Sequence, residues 1–228
     1  MGNWLARLKR NPSTPYVAPF VLFLALLVLG QIVPLPQTLD AAGRLILLSA
    51  ALFFISRRVI DLKVSQWWGS MLLGVIVFII WIAPDTLWPA YRTHWLFQNS
   101  LTGPVHGSSS IDGQSGNLVL LLRAARAVVI VPIVEELFWR AWLMRWLISA
   151  DFKSVRLGTY DARSFWVTAI LFASEHGPYW DVGLAAGILY NWWIIRTKRL
   201  GDAILVHAIT NALLSVYVIH YRTWGYWQ

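Results

Sequence analysis

The chain of 228 residues is 57% hydrophobic and 13% charged, with 15 tryptophans and no cysteine. Water-soluble domains carry roughly 25% charged residues, so this chain has too little polar surface for a soluble sphere, and disulfide and thiol chemistry are excluded. The net charge of +8 would suit a nucleic-acid binder, but the basic residues sit in short polar gaps between apolar runs, where they set membrane topology instead.

Seven apolar segments follow one another. Val17–Val33 comes after a basic start (Arg7, Lys9, Arg10) and lacks a small-residue cleavage site after it, so it reads as an uncleaved first span. Arg44–Ile55 is short and needs its flanks to cross. Trp67–Ala83 is a strong span, stopped by Pro84. The polar stretch Asp85–Asn117 is the only long loop, and the sequence does not decide whether it is an ordered lid or a loose connection. Leu118–Ile148 would run about 46 Å as a straight helix, longer than a hydrocarbon core of about 30 Å, and Pro132 is expected to bend or split it. Ser164–Ser174, Val182–Ile195 and Ala203–Ile219 complete the set, with Gly183 and Gly187 spaced for close helix packing.

Tryptophans mark many segment ends (Trp67, Trp68, Trp88, Trp95, Trp146, Trp180, Trp224, Trp227), as an interfacial belt would. With the N-terminus in the cytoplasm, Arg57, Arg58 and Lys63, then Arg145, Lys153, Arg156 and Arg163, then Arg196, Lys198 and Arg199 all fall inside, as the positive-inside rule requires. The expected fold is an all-α polytopic bundle of about seven to eight membrane helices, one transmembrane domain over 1–228, with a motif-free N-terminal part (1–117) and a catalytic helical core (118–220).

Ionisable residues inside a membrane are costly and by default functional. Glu135 and Glu136 lie in the fourth segment, and Glu136 and Arg140 are i,i+4 in the favourable order. That pairing leaves Glu135 free to face another group. His176 ends the fifth segment, four residues after Phe172, and His207 and Asn211 share one face of the last. A buried carboxylate beside a histidine can deprotonate water, and a second histidine with an asparagine can hydrogen-bond an oxyanion. Ser174 lacks a G-x-S-x-G setting for a serine mechanism. Glutamate plus two histidines is also a catalytic zinc ligand set, so Glu135, His176 and His207 are the alternative metal site, although no H-E-x-x-H is present. Arg123 and Arg126, early in the fourth segment, suit snorkelling to an interface or an acidic substrate contact.

Three short patterns occur in order: Glu135-Glu136-x-x-x-Arg140, Phe172-x-x-x-His176 and His207-x-x-x-Asn211. Over roughly Val129–Leu214 the chain resembles the CAAX protease and bacteriocin-processing (Abi) family, which includes the type II CAAX prenyl proteases. More loosely it is similar to the bacterial CAAX prenyl protease-related subgroup. The resemblance implies a glutamate intramembrane endopeptidase without a cofactor. Glu135 would activate water with help from His176, His207 and Asn211 would stabilise the oxyanion, and Glu136, Arg140 and Phe172 would support them. It implies a membrane-embedded or membrane-anchored protein substrate, no nucleic acid, and a bacterial inner membrane as the location. A non-enzymatic scaffold or immunity protein and a transporter are the competing readings, the latter without internal repeats in its favour.

Overall fold

The computed structural model describes residues 11–99, 102 and 115–227. Among them it is all-helical: α1 (Thr14–Ile32), α2 (Gln37–Ser56), α3 (Trp67–Leu87), α4 (Asn117–Trp146), α5 (Ala162–Ser174), α6 (Trp180–Thr197) and α7 (Leu200–Tyr221). Each of the seven apolar segments is a helix. α1, α2, α3, α4 and α7 are long and apolar enough to cross a membrane, while α5 is shorter. The basic start at Arg7, Lys9 and Arg10 and most of the long loop beyond Asn99 lie outside the described residues.

Polarity is distributed inside out. Trp68 is 83% and Phe54 77% exposed, whereas Glu136 and Arg140 are 0% and 1% exposed. That pattern is stable only where the surrounding solvent is lipid. The chain is an integral membrane protein.

Two prolines behave differently from expectation. α3 runs on through Pro84 to Leu87, because a proline in the last turn forfeits little of the hydrogen-bond ladder and its own carbonyl still accepts from Trp88 N (3.0 Å). α4 passes Pro132 without breaking. Two widened turns with i→i+5 bonding, Arg126–Ile130 and Leu137–Leu143, flank the short regular stretch Val131–Glu136. A widened turn just before the proline eases the crowding between its ring and the carbonyl one turn back. The resulting helix is about 45 Å long.

α7 packs along α3 where Gly74 lets the backbones close up; a Cβ there would stand 2.7 Å from Ile209 Cβ, and Thr210 Oγ1 donates to the Gly74 carbonyl (3.1 Å). α6 packs on α5 through Gly187 against Ala169 and Gly183 against the His176 ring, so both glycines of the predicted small-residue pair lie in contacts. At one end of the bundle Asp202, in the first turn of α7, accepts from Ser65 N (2.8 Å), Ser65 Oγ (2.6 Å) and Gln66 N (3.0 Å), and Arg199 lies 3.9 Å from Asp61. Gly158 fits against Ile194 and Lys198 at this same end. At the other end Asp85, Arg92, Asp181 and Tyr226 meet. The basic gaps thus gather at one end, as alternating spans produce.

Candidate active site

The site forms where α4, α5, α6 and α7 meet. The regular stretch Val131–Glu136 presents its two carboxylates inward, Glu135 at 6% exposure and Glu136 fully buried. Glu136 Oε1 accepts from Arg140 Nη1 (3.0 Å), the pairing expected from their spacing, and also from His207 Nδ1 (3.0 Å) on α7. A carboxylate offers no proton, so the histidine donates from Nδ1 and its Nε2 is left as an acceptor. That Nε2 faces Glu135 Oε2 at 3.9 Å, too far for a direct hydrogen bond. Glu135 Oε2, Glu136 Oε2 and Arg140 Nη2 are buried with no partner in the protein.

Arg140 is held by its other nitrogens and by two rings. Its Nε donates to Asn191 Oδ1 (3.1 Å) on α6, and its guanidinium lies over Phe172 (4.5 Å) and Tyr190 (5.3 Å). Asn191 in turn donates to the Phe165 carbonyl (2.9 Å). The Tyr190 ring stacks on His207 (5.1 Å between centroids) and fixes the plane in which Nε2 points. Intramembrane hydrogen bonds of this kind persist because no water competes for their partners.

His176 follows the end of α5. Its Nδ1 donates to the Phe172 carbonyl (2.8 Å), one of the carbonyls a helix end leaves unpaired, so Nε2 is again an acceptor. The ring lies against Trp81 (5.1 Å) and Phe172 (4.8 Å) and is within electrostatic reach of His207. Asn211 Nδ2 donates to the Ala127 carbonyl (2.8 Å) in the first widened turn of α4.

The structure therefore brings Glu135, Glu136, Arg140 and His207 into one connected group, seats Phe172 beneath Arg140, and sets His176 beside Phe172 without a hydrogen bond to Glu135. Asn211 ties α7 to α4 just before the acidic pair. For zinc, Glu135, His176 and His207 would have to converge; among the described residues no group of three or more His, Asp and Glu side chains is disposed to hold a metal ion.

Tyr190 and Asn191 were missed from sequence. An asparagine midway along an apolar segment is the same signal that singled out Glu135 and His207, and Asn191 could have been found by it. Tyr190 carries no such signal, since an aromatic at helical spacing reads as core. Glu175, next to His176, lies within electrostatic reach of Glu135 and was likewise passed over.

Residues 117–213 match the model of one protein family, described as Type II CAAX prenyl endopeptidase Rce1-like. The match takes in α4, α5, α6 and the part of α7 that carries His207 and Asn211, and leaves out α1, α2 and α3. No curated protein and no solved structure matches the chain.

Proposed function

We propose, from the match of residues 117–213 to the family model described as Type II CAAX prenyl endopeptidase Rce1-like, that the chain hydrolyses a peptide bond of a membrane-associated protein with Glu135 as the general base. The observation that carries this reading is the division of labour between the two carboxylates. Glu136 is engaged by Arg140 and His207, while Glu135 is left with an unpartnered oxygen facing the acceptor nitrogen of the same histidine.

A water molecule lying off the line between Glu135 Oε2 and His207 Nε2 would donate one hydrogen to each, at about 2.8 Å. Both of its hydrogens are then directed and a lone pair is free to attack. As the water oxygen bonds to the carbonyl carbon, its proton passes to Glu135 and the carbonyl oxygen becomes an oxyanion. The second amide hydrogen of Asn211 is the donor assigned to it, a contribution of about 3–4 kcal/mol for one well-placed donor. Glu135 then returns the proton to the leaving nitrogen as the C–N bond breaks, giving a free acid and a free amine with no covalent intermediate. His176 assists by accepting from the substrate backbone through Nε2. No step runs through a metal.

The segregation of basic gaps at one end of the bundle supports a cytoplasmic N-terminus, and the membrane proposed is a bacterial inner membrane. The test is cleavage of a library of membrane-anchored peptides by detergent-purified protein, with and without a chelator. Cleavage that survives the chelator and disappears in Glu135→Gln is the expected result. Cleavage abolished by the chelator and restored by zinc would transfer Glu135, His176 and His207 to a metal site. Cleavage that persists in Glu135→Gln would remove the glutamate mechanism.

A further inference from the structure

An arginine surplus lies between α2 and α4, away from the candidate active site. Arg44, about 10 Å along α2 from Gln37, bonds Asp40 at 2.7 Å and rests against Gly30 of α1, where a Cβ would overlap its guanidinium. On α4, Arg123 lies over the Trp227 ring (5.7 Å) with one Nη 3.5 Å from the Trp227 carbonyl. Arg126 is about 14 Å along α4 from Asn117 and forms no hydrogen bond or ion pair among the described residues. The three guanidiniums are within electrostatic reach of one another, and Asp40 is the one carboxylate among the described residues that reaches them. Three positive charges thus face one negative charge on membrane-spanning helices.

Snorkelling accounts for a single arginine near a helix end. It does not account for three that converge, one of them unpaired. Arg side chains inside a bundle normally pair or coordinate, and a half-buried surplus of this size calls for an anion. The surroundings say what brings it. Val129, three residues from Arg126 on the same face of α4, is 53% exposed. The cluster opens onto apolar surface that lies in lipid, so an anion reaching it from the side carries acyl chains. Because Asp40 occupies Arg44 Nε and Nη2 packs against Gly30, Nη1 of Arg44 remains for a ligand. Forked guanidiniums match phosphate oxygens in pairs, and basic pockets between membrane helices bind anionic headgroups.

We propose that Arg44, Arg123 and Arg126 form a binding site for the phosphate of an anionic phospholipid seated between α2 and α4. The site is independent of the protease reading and is tested without an activity assay. Native mass spectrometry of the delipidated full-length protein, titrated in turn with phosphatidylglycerol, phosphatidylcholine and inorganic phosphate, measures it directly. One phosphatidylglycerol per chain is expected, held in preference to phosphatidylcholine. Arg126→Gln should weaken it about tenfold or more, the size of one charge-assisted hydrogen bond. Arg126→Lys should fall in between, and Arg222→Gln, an exposed arginine past the end of α7, should bind like wild type. Arg126→Gln removes an unpaired charge, so its lipid-free melting temperature should equal or exceed that of wild type; Arg123→Gln serves as the second variant. Equal retention of phosphatidylcholine, or undiminished binding by both variants, would overturn the site. Displacement of the lipid by millimolar phosphate alone would overturn its assignment to a lipid.

Discussion

Two clusters in this molecule share a stoichiometry of two carboxylates to one arginine and use it in opposite ways. At one end of the bundle Arg92, 5% exposed, satisfies both acids: Nε donates to Asp85 (3.0 Å) and Nη1 to Asp181 (2.5 Å) and to the Pro178 carbonyl (2.6 Å). Tyr91 and Tyr226 add hydrogen bonds to the same carboxylates, and the Tyr179 ring covers the guanidinium at 4.4 Å. In the core Arg140 bonds one oxygen of one acid, Glu136, and donates its Nε to Asn191. Glu135 is left over. A cluster that engages both of its carboxylates stiffens a turn, whereas one that leaves a buried carboxylate unengaged holds that group ready for chemistry. The Arg92 cluster does hold the turn Gly177–Tyr179, which follows His176, against the segment after α3, with Trp180 Nε1 donating to the Leu96 carbonyl (3.1 Å).

The largest effect should come from breaking the core pair. Arg140→Met strands Glu136 without its cation, and removal of one partner from a buried pair costs about 3–5 kcal/mol; thermal unfolding in detergent should show most of the folded protein lost. Next, Glu135→Gln should leave the melting temperature within a degree or two, because the unpartnered Oε2 of Glu135 leaves no donor stranded when the charge is removed, while the cleavage rate falls by about 10²–10⁴, the range of a lost general base. Arg92→Met comes third. It unpairs two partly exposed acids and should cost roughly 1–3 kcal/mol, with protection against hydrogen exchange lost first in 85–97 and 177–181. The smallest effect is alkaline. Burial, then the bond to Asp181, raises the Tyr91 pKa above its ordinary 10.0. The stability this contributes is complete below pH 10 and lost as pH climbs through the raised value. A melting curve taken above pH 10 should therefore drop less in Tyr91→Phe than in wild type.

What could be read from the sequence follows from cost. Apolar runs have no cheaper use than burial in a membrane or a bundle, so the seven long helices among the described residues were visible, five of them at spanning length, and so were the charged residues inside them. The second apolar run, Arg44–Ile55, needed its flanks to cross, and the helix does reach back to Gln37, because Asp40 and Arg44 neutralise each other one turn apart inside it. A boundary failed where a proline was taken for an end. α3 was expected to stop at Pro84 and continues a turn further. Pro132 was expected to bend or split α4; the helix is not split, and widened turns flank the proline, a backbone adjustment with no residue signature. The order of the segment from Asp85 to Asn99 depends on Arg92 meeting Asp181, 89 positions away, and no local pattern announces such a contact. In the site, the pairing of Glu136 with Arg140 was legible from spacing alone. That Glu136 also takes His207, so that Glu135 faces the other nitrogen of the ring, depends on how α7 docks on α4 and could not be read in one dimension.

The central claim is that adjacent carboxylates do different work, and the most direct test compares Glu135→Gln with Glu136→Gln, reading melting temperature and peptide cleavage on the same preparations. The account predicts that Glu135→Gln melts with wild type and cleaves nothing, while Glu136→Gln melts several degrees lower and loses activity in step with its folded fraction. A Glu135→Gln protein that still cleaves, or a Glu136→Gln protein that folds like wild type yet is catalytically dead, would reverse the two roles and contradict it.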